Sequence, residues 1–352
     1  MARTVLVLAA LLAACEGAGE GPDGSSGTPG ADVTDAGGSP GSDAPGSDAA
    51  ADAASGGPAD GLTESDGSTE ADAAPGGSDV ASADTSQDDT ADAPRSGPPK
   101  PRPYSGAHGC PTLVQGKNTI QSAKKSRSFL LYLPDEPEGA PLLTLWHPAG
   151  GSASYMASAF GAQKLAKAHN LIVAVPDSCC GLVEWRFRDT EDPEADLTLF
   201  DDLVACTDEQ FNIDRERIYT GGFSAGGLWS SFLVIHRADT LAAAVIFSGG
   251  VDGLIAWQTP ARPVPTLLAW GGPTDVLYGV FSFDQQMKAL SAHLQDEGAF
   301  VVECDHGGGH TVPSGATNWA VPFALAHRWG QPSPVATGGL DASWPKYCSI
   351  PE

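Results

Sequence analysis

Three residues in the C-terminal part of the chain have the types and the order needed for covalent acyl transfer. Ser224 lies in Gly222-Phe223-Ser224-Ala225-Gly226, directly after the run RIYTGG (217–222) and before a helical pattern. Asp275 closes Gly271-Gly272-Pro273-Thr274-Asp275 after PTLLAW (265–270), and His310 closes Asp305-His306-Gly307-Gly308-Gly309-His310 after AFVVEC (299–304). A serine hydroxyl is a weak nucleophile until a base takes its proton, and an imidazole base needs a carboxylate to hold its tautomer. Small residues around Ser224 let a strand and a helix meet in a tight turn, and the helix N-terminus favours developing negative charge. Two positions have rivals. Asp252, after AAAVIFSG (242–249), is an alternative acid or a turn residue, and His306 is an alternative base. His306 and His310 also stand four apart, but the glycines between them disfavour a fixed metal-ligand pair. A tetrahedral oxyanion would need backbone N–H donors. Ala225 follows the nucleophile and supplies one; Pro148 in WHPAGG (146–151) has no N–H, so Ala149 supplies the other, with Gly150 behind it.

These groups need a frame that brings distant loops to one edge. The runs FLLYLP (129–134), PLLTLWH (141–147), LIVAVP (171–176), RIYTGG, AAAVIFSG, PTLLAW and AFVVEC are short, nearly continuous and bounded by Gly, Pro or Asp. Such runs predict strands buried on both faces. Between them, 153–169, 197–211, 225–235, 281–295 and 317–329 carry helical periodicity, with Asn170 placed to end the first. The alternation predicts an α/β domain with a mainly parallel sheet and helices on both faces. Active sites of such sheets lie beyond the carboxyl ends of the strands, where Ser224, Asp275 and His310 fall.

FLLYLP, PLLTLWHPAGG, VPDS, FDDLVACTDEQFNIDRERIYTGGFSAGG and the GGPTD and GGGHTVP loops together resemble the esterase family of poly(3-hydroxybutyrate) depolymerases, feruloyl esterases and acetylxylan esterases. The resemblance covers nearly all of residues 115–330, and FNIDRERIYTGGFSAGG is its most specific part. It implies an α/β-hydrolase fold, with Ser224 as nucleophile, Asp275 as acid and His310 as base, and no metal or organic cofactor. The substrate would be an ester, polymeric or small: feruloyl or acetyl groups on polysaccharide, or a hydroxyalkanoate polyester. A peptidase or acyltransferase on the same fold, or a non-catalytic polysaccharide-binding lipoprotein, are the alternatives. The sequence departs from the family at three places. His147-Pro148 replaces HG before the oxyanion residue, Gly271 replaces the histidine of HGxxD, and Val312 replaces the tryptophan of GGHxWP.

Other residues invite functional readings. Asp201 and Asp202 are adjacent on a helix, about 100° apart, and so cannot flank one bond. Trp185 and Tyr278 are candidate substrate-binding residues, Trp185 with Phe187 and Arg188 in the loop after the double cysteine; packing of that loop on the domain is the competing reading. Trp146 reads as core and His147 as a residue that fixes its loop.

The remainder of the chain concerns location. MARTVLVLAALLAAC has a basic start at Arg3 and an apolar stretch from Val5 to Ala14, too short to span a bilayer. Leu12-Ala13-Ala14-Cys15 resembles the bacterial lipobox, which implies a signal peptide over 1–14, lipidation of Cys15, and a bacterial lipoprotein exported to the outer membrane or cell surface. Residues 15–103 follow as an acidic Asp/Ala/Gly/Ser/Pro linker. From Glu16 to Lys100 there is no Phe, Trp or Tyr, and 18 acidic residues face only Arg95 and Lys100. Such a segment buries too little apolar surface to order itself, and as a coil it reaches about 50 Å. Most of the formal charge of −25 therefore belongs to the linker, and no nucleic-acid partner is expected. Residues 104–352 form one esterase-like domain, expected to be monomeric. Beyond Cys15, Cys110, Cys179, Cys180, Cys206, Cys304 and Cys348 are an even set, the pattern of disulfides in an exported chain. Cys179 and Cys180, being adjacent, are expected to bond to two separate partners.

Overall fold

The computed structural model describes residues 97–179, 184–187 and 192–352. The signal peptide, Cys15 and the linker as far as residue 96 lie outside the described residues, as do Cys180 and Arg188.

The continuous apolar runs become the centre of a nine-stranded sheet. In chain order its strands are β1 (Gly116–Ser122), β2 (Lys125–Tyr132), β3 (Leu142–Trp146), β4 (Ile172–Pro176), β5 (Ile218–Phe223), β6 (Ala243–Phe247), β7 (Thr266–Trp270), β10 (Val301–Asp305) and β11 (Cys348–Ser349). Two further short strands, β8 (Val276–Leu277) and β9 (Phe281–Ser282), pair only with each other. The spatial order is β1-β2-β4-β3-β5-β6-β7-β10-β11. β4, β3, β5, β6, β7 and β10 run parallel, while β1, β2 and β11 join antiparallel at the two ends. Every residue of β3, β4, β6 and β7 is buried, as expected for strands covered on both sides.

Seven helices accompany the sheet among the described residues: α1 (Ala153–Phe160), α2 (Ala162–His169), α3 (Glu194–Phe211), α4 (Ala225–His236), α5 (Phe283–Asp296), α6 (Thr317–Ala326) and α7 (Pro334–Gly338). Alternate residues of one strand serve opposite cores. Leu142 and Trp146 of β3 pack with Phe200, Trp229 and Leu290 of α3, α4 and α5, whereas Leu143 and Leu145 pack with Met156, Leu165 and Phe323 of α1, α2 and α6. The chain passes from β3 outward to β4, then returns to the other side of β3 for β5. Between β3 and β5 the winding reverses, which opens a crevice at their carboxyl ends.

Three of the expected helices differ in extent, one of them only by starting earlier, at Glu194. The segment 153–169 is two helices, because Gly161 adopts the left-handed φ of 62° and ends α1 with its N–H on Ala157 and Ser158 oxygens. α6 stops at Ala326 because buried His327 turns extended and its Nδ1–H caps Phe323 O at 2.7 Å.

Disulfides Cys110–Cys206 and Cys304–Cys348 fasten the first segment to α3 and β11 to β10. Cys179 is disulfide-bonded too, and none of those four is its partner. The expectation for the adjacent pair involves Cys180, which lies outside the described residues. Asp201 and Asp202 are structural: Asp201 accepts two bonds from Arg237 at 2.7 and 2.8 Å, and Asp202 holds the N–H and hydroxyl of Ser105.

Candidate active site

β5 ends at Phe223 and α4 begins at Ala225, so Ser224 alone makes the turn, with φ 58° and ψ −117°. L-residues rarely adopt that conformation, and it costs about 1–3 kcal/mol. The approach around it is very close. A Cβ on Gly222 would lie 2.2 Å from Gly226 O, and one on Gly226 would lie 2.0 Å from Trp146 O. Both positions exclude every side chain, and that closeness pushes Ser224 out over the sheet edge.

Ser224 Oγ lies 2.9 Å from His310 Nε2. The His310 Nδ1–H donates to Asp275 Oδ1 at 2.7 Å, which leaves Nε2 free to accept the Ser224 proton. Asp275 is fully buried, and its other oxygen accepts from Ser248 Oγ–H at 2.7 Å and from Gly271 N–H at 3.0 Å. The imidazole contacts two phenyl rings, Phe283 at 4.5 Å and Phe223 at 4.9 Å. Orientation of the ring is thus fixed by one carboxylate, the stacked Phe283 ring and the tilted Phe223 ring.

Ala149 and Ala225 both border Ser224 at the floor of a cleft of about 300 Å³. Its walls are apolar: Leu228, Leu254, Leu277, Phe281 and Phe283, with Tyr278 at the rim and 61% exposed. The β8–β9 hairpin, which begins directly after Asp275, supplies three of these residues. A second depression of about 480 Å³ lies on the other flank of His310, bordered by Tyr155, Thr311, Val312, Ser314 and Thr317.

No protein-family model matches the chain. Over 205 residues it is 27% identical to a bifunctional acetylxylan esterase/xylanase of Neocallimastix patriciarum, covering 58% of this chain and 28% of that one. Over 163 residues it is 29% identical to feruloyl esterase D of Neurospora crassa, covering 42% and 54% respectively. It is 32% identical over 137 residues to feruloyl esterase B of Piromyces equi, covering 37% and 25%. The matches span between about a quarter and about half the length of these curated relatives. Among solved structures, "Crystal Structure of pOPH Native" superposes with a TM-score of 0.59 at 18% identity, over 70% of this chain and 97% of that one. The chain has an α/β-hydrolase fold and is similar in sequence to esterases.

Within this fold the missing HGxxD histidine has a steric explanation. A Cβ on Gly271 would lie 1.8 Å from Gly309 O, because the loop carrying His310 is packed against it. Gly309 N–H donates to Gly271 O at 3.1 Å while Gly271 N–H donates to Asp275, so one glycine couples the acid loop to the base loop. Gly271→Ala is expected to force these loops apart, lowering stability by about 1–3 kcal/mol and displacing His310. Thermal melting and ester turnover measured on the same preparation check this, and a variant with parental melting and turnover contradicts it. Val312, where the family has tryptophan, faces the larger depression and leaves it open.

The structure corrects the reading of Trp185. It is fully buried, packs edge-on against Trp146 at 5.0 Å and donates its indole N–H to His147 O at 2.9 Å. It belongs to the core beneath the site and cannot touch a substrate; Phe187 is buried beside it. Tyr278 does stand at the cleft. Asp252 is bonded to His293 at the surface, away from His310. His306 accepts Gly308 N–H at 3.1 Å and has no bond to Ser224, and burial pushes its pKa down. His147 fixes its loop, with Nδ1–H donating to Pro148 O at 2.8 Å. Sequence reasoning missed Ser248, Phe283 and the β8–β9 hairpin. Only the turn-like Ser248-Gly249 after a strand gave any signal.

Proposed function

We propose that the chain is an exported, lipid-tethered serine esterase with Ser224, His310 and Asp275 as its catalytic triad. The observation that carries this reading is the unbroken hydrogen-bond line from Ser224 through His310 to Asp275, starting at a strained serine between β5 and α4. His310 takes the Ser224 proton as Oγ attacks the ester carbonyl, and Asp275 stabilises the imidazolium that forms. Ala149 and Ala225 N–H groups receive the oxyanion, His310 protonates the leaving alcohol, and water then releases the acid.

The two recesses suggest how the ester lies. The apolar one contains the nucleophile and the oxyanion donors and suits the acyl group. The one beyond His310 is rimmed by the hydroxyls of Tyr155, Thr311, Ser314 and Thr317, and lies where a hydroxyl-rich alcohol would depart. Relatives named for feruloyl and acetylxylan esters agree with a polysaccharide-borne acyl group. An aromatic acyl group fills the apolar recess better than acetyl.

A panel of p-nitrophenyl acetate and butyrate, methyl hydroxycinnamates, acetylated xylan and hydroxybutyrate oligomers tests the reading. Hydroxycinnamoyl esters are expected to lead, and Tyr278→Ala to lower kcat/KM for them about tenfold, about 1.4 kcal/mol of lost apolar contact, while sparing acetyl. No turnover of any ester would sink the reading. Attachment at Cys15 rests on the lipobox-like sequence and on disulfides suited to an oxidising compartment. Incorporation of a fatty-acid label that persists after Cys15→Ala would refute the anchor.

A further inference from the structure

The loop after β3 is tied down by a neighbour that the catalytic line does not include. Pro148 has no N–H, Gly151 N–H donates to Pro148 O at 2.9 Å, and Gly150 N–H donates to Glu184 Oε1 at 3.1 Å. Ala149 lies between Pro148 and the tied Gly150, and it borders the cleft beside Ser224 and Ala225. The other Glu184 oxygen accepts the Ser178 hydroxyl, and Ser178 N–H donates to His147 Nε2 at 3.1 Å. His147 in turn holds Pro148 O, while Trp185, next to Glu184, holds His147 O. Glu184 itself stands at φ 77°, a conformation a long side chain adopts only when its surroundings impose it.

We propose that Glu184 is the positioning residue of the oxyanion loop, engaging Gly150 N–H so that Ala149 N–H alone is presented toward the carbonyl bound at Ser224. This rests on the serine-esterase reading of the site. The carboxylate acts through geometry, since a negative charge beside a developing oxyanion opposes it. The side chain earns its place as a two-point acceptor, holding Gly150 with one oxygen and Ser178 with the other. Glutamine keeps an acceptor oxygen for Gly150 N–H and an amide that Ser178 Oγ can accept from. Alanine keeps neither.

The test uses the full chain with p-nitrophenyl butyrate, a trifluoromethyl ketone that adds to the nucleophile to form an oxyanion, and thermal melting. Glu184→Ala is expected to lower kcat about 10- to 100-fold and to weaken the trifluoromethyl ketone by a matching factor, with KM within about twofold. Glu184→Gln is expected within about threefold of the parent in both readouts. Unchanged kcat and inhibitor affinity in Glu184→Ala would overturn the proposal. So would a rise in KM alone, or a Glu184→Gln loss as large as that of Glu184→Ala. If Glu184→Ala melts below the assay temperature, Ser178→Ala decides. It removes only the hydroxyl that holds the second oxygen, and it should show the same pattern at smaller size; parental behaviour counts against Glu184. A parent that neither turns over esters nor is labelled by a fluorophosphonate overturns the esterase reading itself. Equal labelling rates in an active parent and in Glu184→Ala overturn only the role of Glu184.

Discussion

Ser224→Ala is expected to lower kcat for p-nitrophenyl butyrate by about 10⁴- to 10⁶-fold, with little change in KM or melting temperature. The alanine keeps the backbone turn and the cleft, so substrate still enters. What disappears is the hydroxyl bonded to His310 Nε2. The other hydroxyl near this line, Ser248, is on the far side of Asp275 and donates to its Oδ2. It cannot turn to substitute. Any residual rate would come from the oxyanion donors and substrate alignment acting on water. Turnover above about one hundredth of the parental rate would be incompatible with Ser224 as nucleophile. The same variant should fail to react with a fluorophosphonate.

The second large effect is expected for Asp275→Asn, at about 10⁴-fold in kcat. An asparagine here has two possible orientations, and the surroundings choose the harmful one. Gly271 N–H points at the position of Oδ2 and can only donate, so the amide oxygen must go there and the NH₂ must face His310. The Ser248 hydroxyl can rotate to suit, but the backbone amide cannot. Facing an NH₂, His310 Nδ1 becomes the acceptor, the ring proton moves to Nε2, and Nε2 can no longer take the Ser224 proton. The shape of the site is kept while its tautomer is inverted. Steady-state kinetics alongside a melting curve separates this from unfolding, and a variant within about tenfold of the parent would refute the assigned role.

Much of this arrangement was legible in the chain because the signals were strong where both faces of the sheet are covered. β3, β4, β6 and β7 announce themselves as unbroken apolar runs, and strand-end loops between helices lead directly to Ser224, Asp275 and His310. β1 escaped notice because its outward positions are polar and its buried positions are Asn118, Ile120 and Ser122, which leaves no apolar period to read. The β8–β9 hairpin has two residues per strand, too few for any period at all, yet it walls the cleft. Trp185 was misread for a different reason: an aromatic residue in a loop carries no mark that tells the floor of a site from its lining. The tie from Glu184 to Gly150 spans 34 residues and a backbone N–H, which no side-chain pattern records. Gly271 looked like a lost histidine until Gly309 O was seen to occupy its place.

Ser224 occupies a backbone conformation in which glycine would be at ease. Its φ of 58° and ψ of −117° give up about 1–3 kcal/mol, a sizeable part of the 5–15 kcal/mol margin typical of a folded domain. The packing does not require a hydroxymethyl group there, since the neighbouring contacts are made by Gly222 and Gly226. Mutation accumulates fastest toward whatever relieves such a cost, unless activity is selected against that drift. Residue 224 is accordingly the position at which a lineage that kept this fold only for binding would diverge first, well before the glycines that hold the strand and helix together.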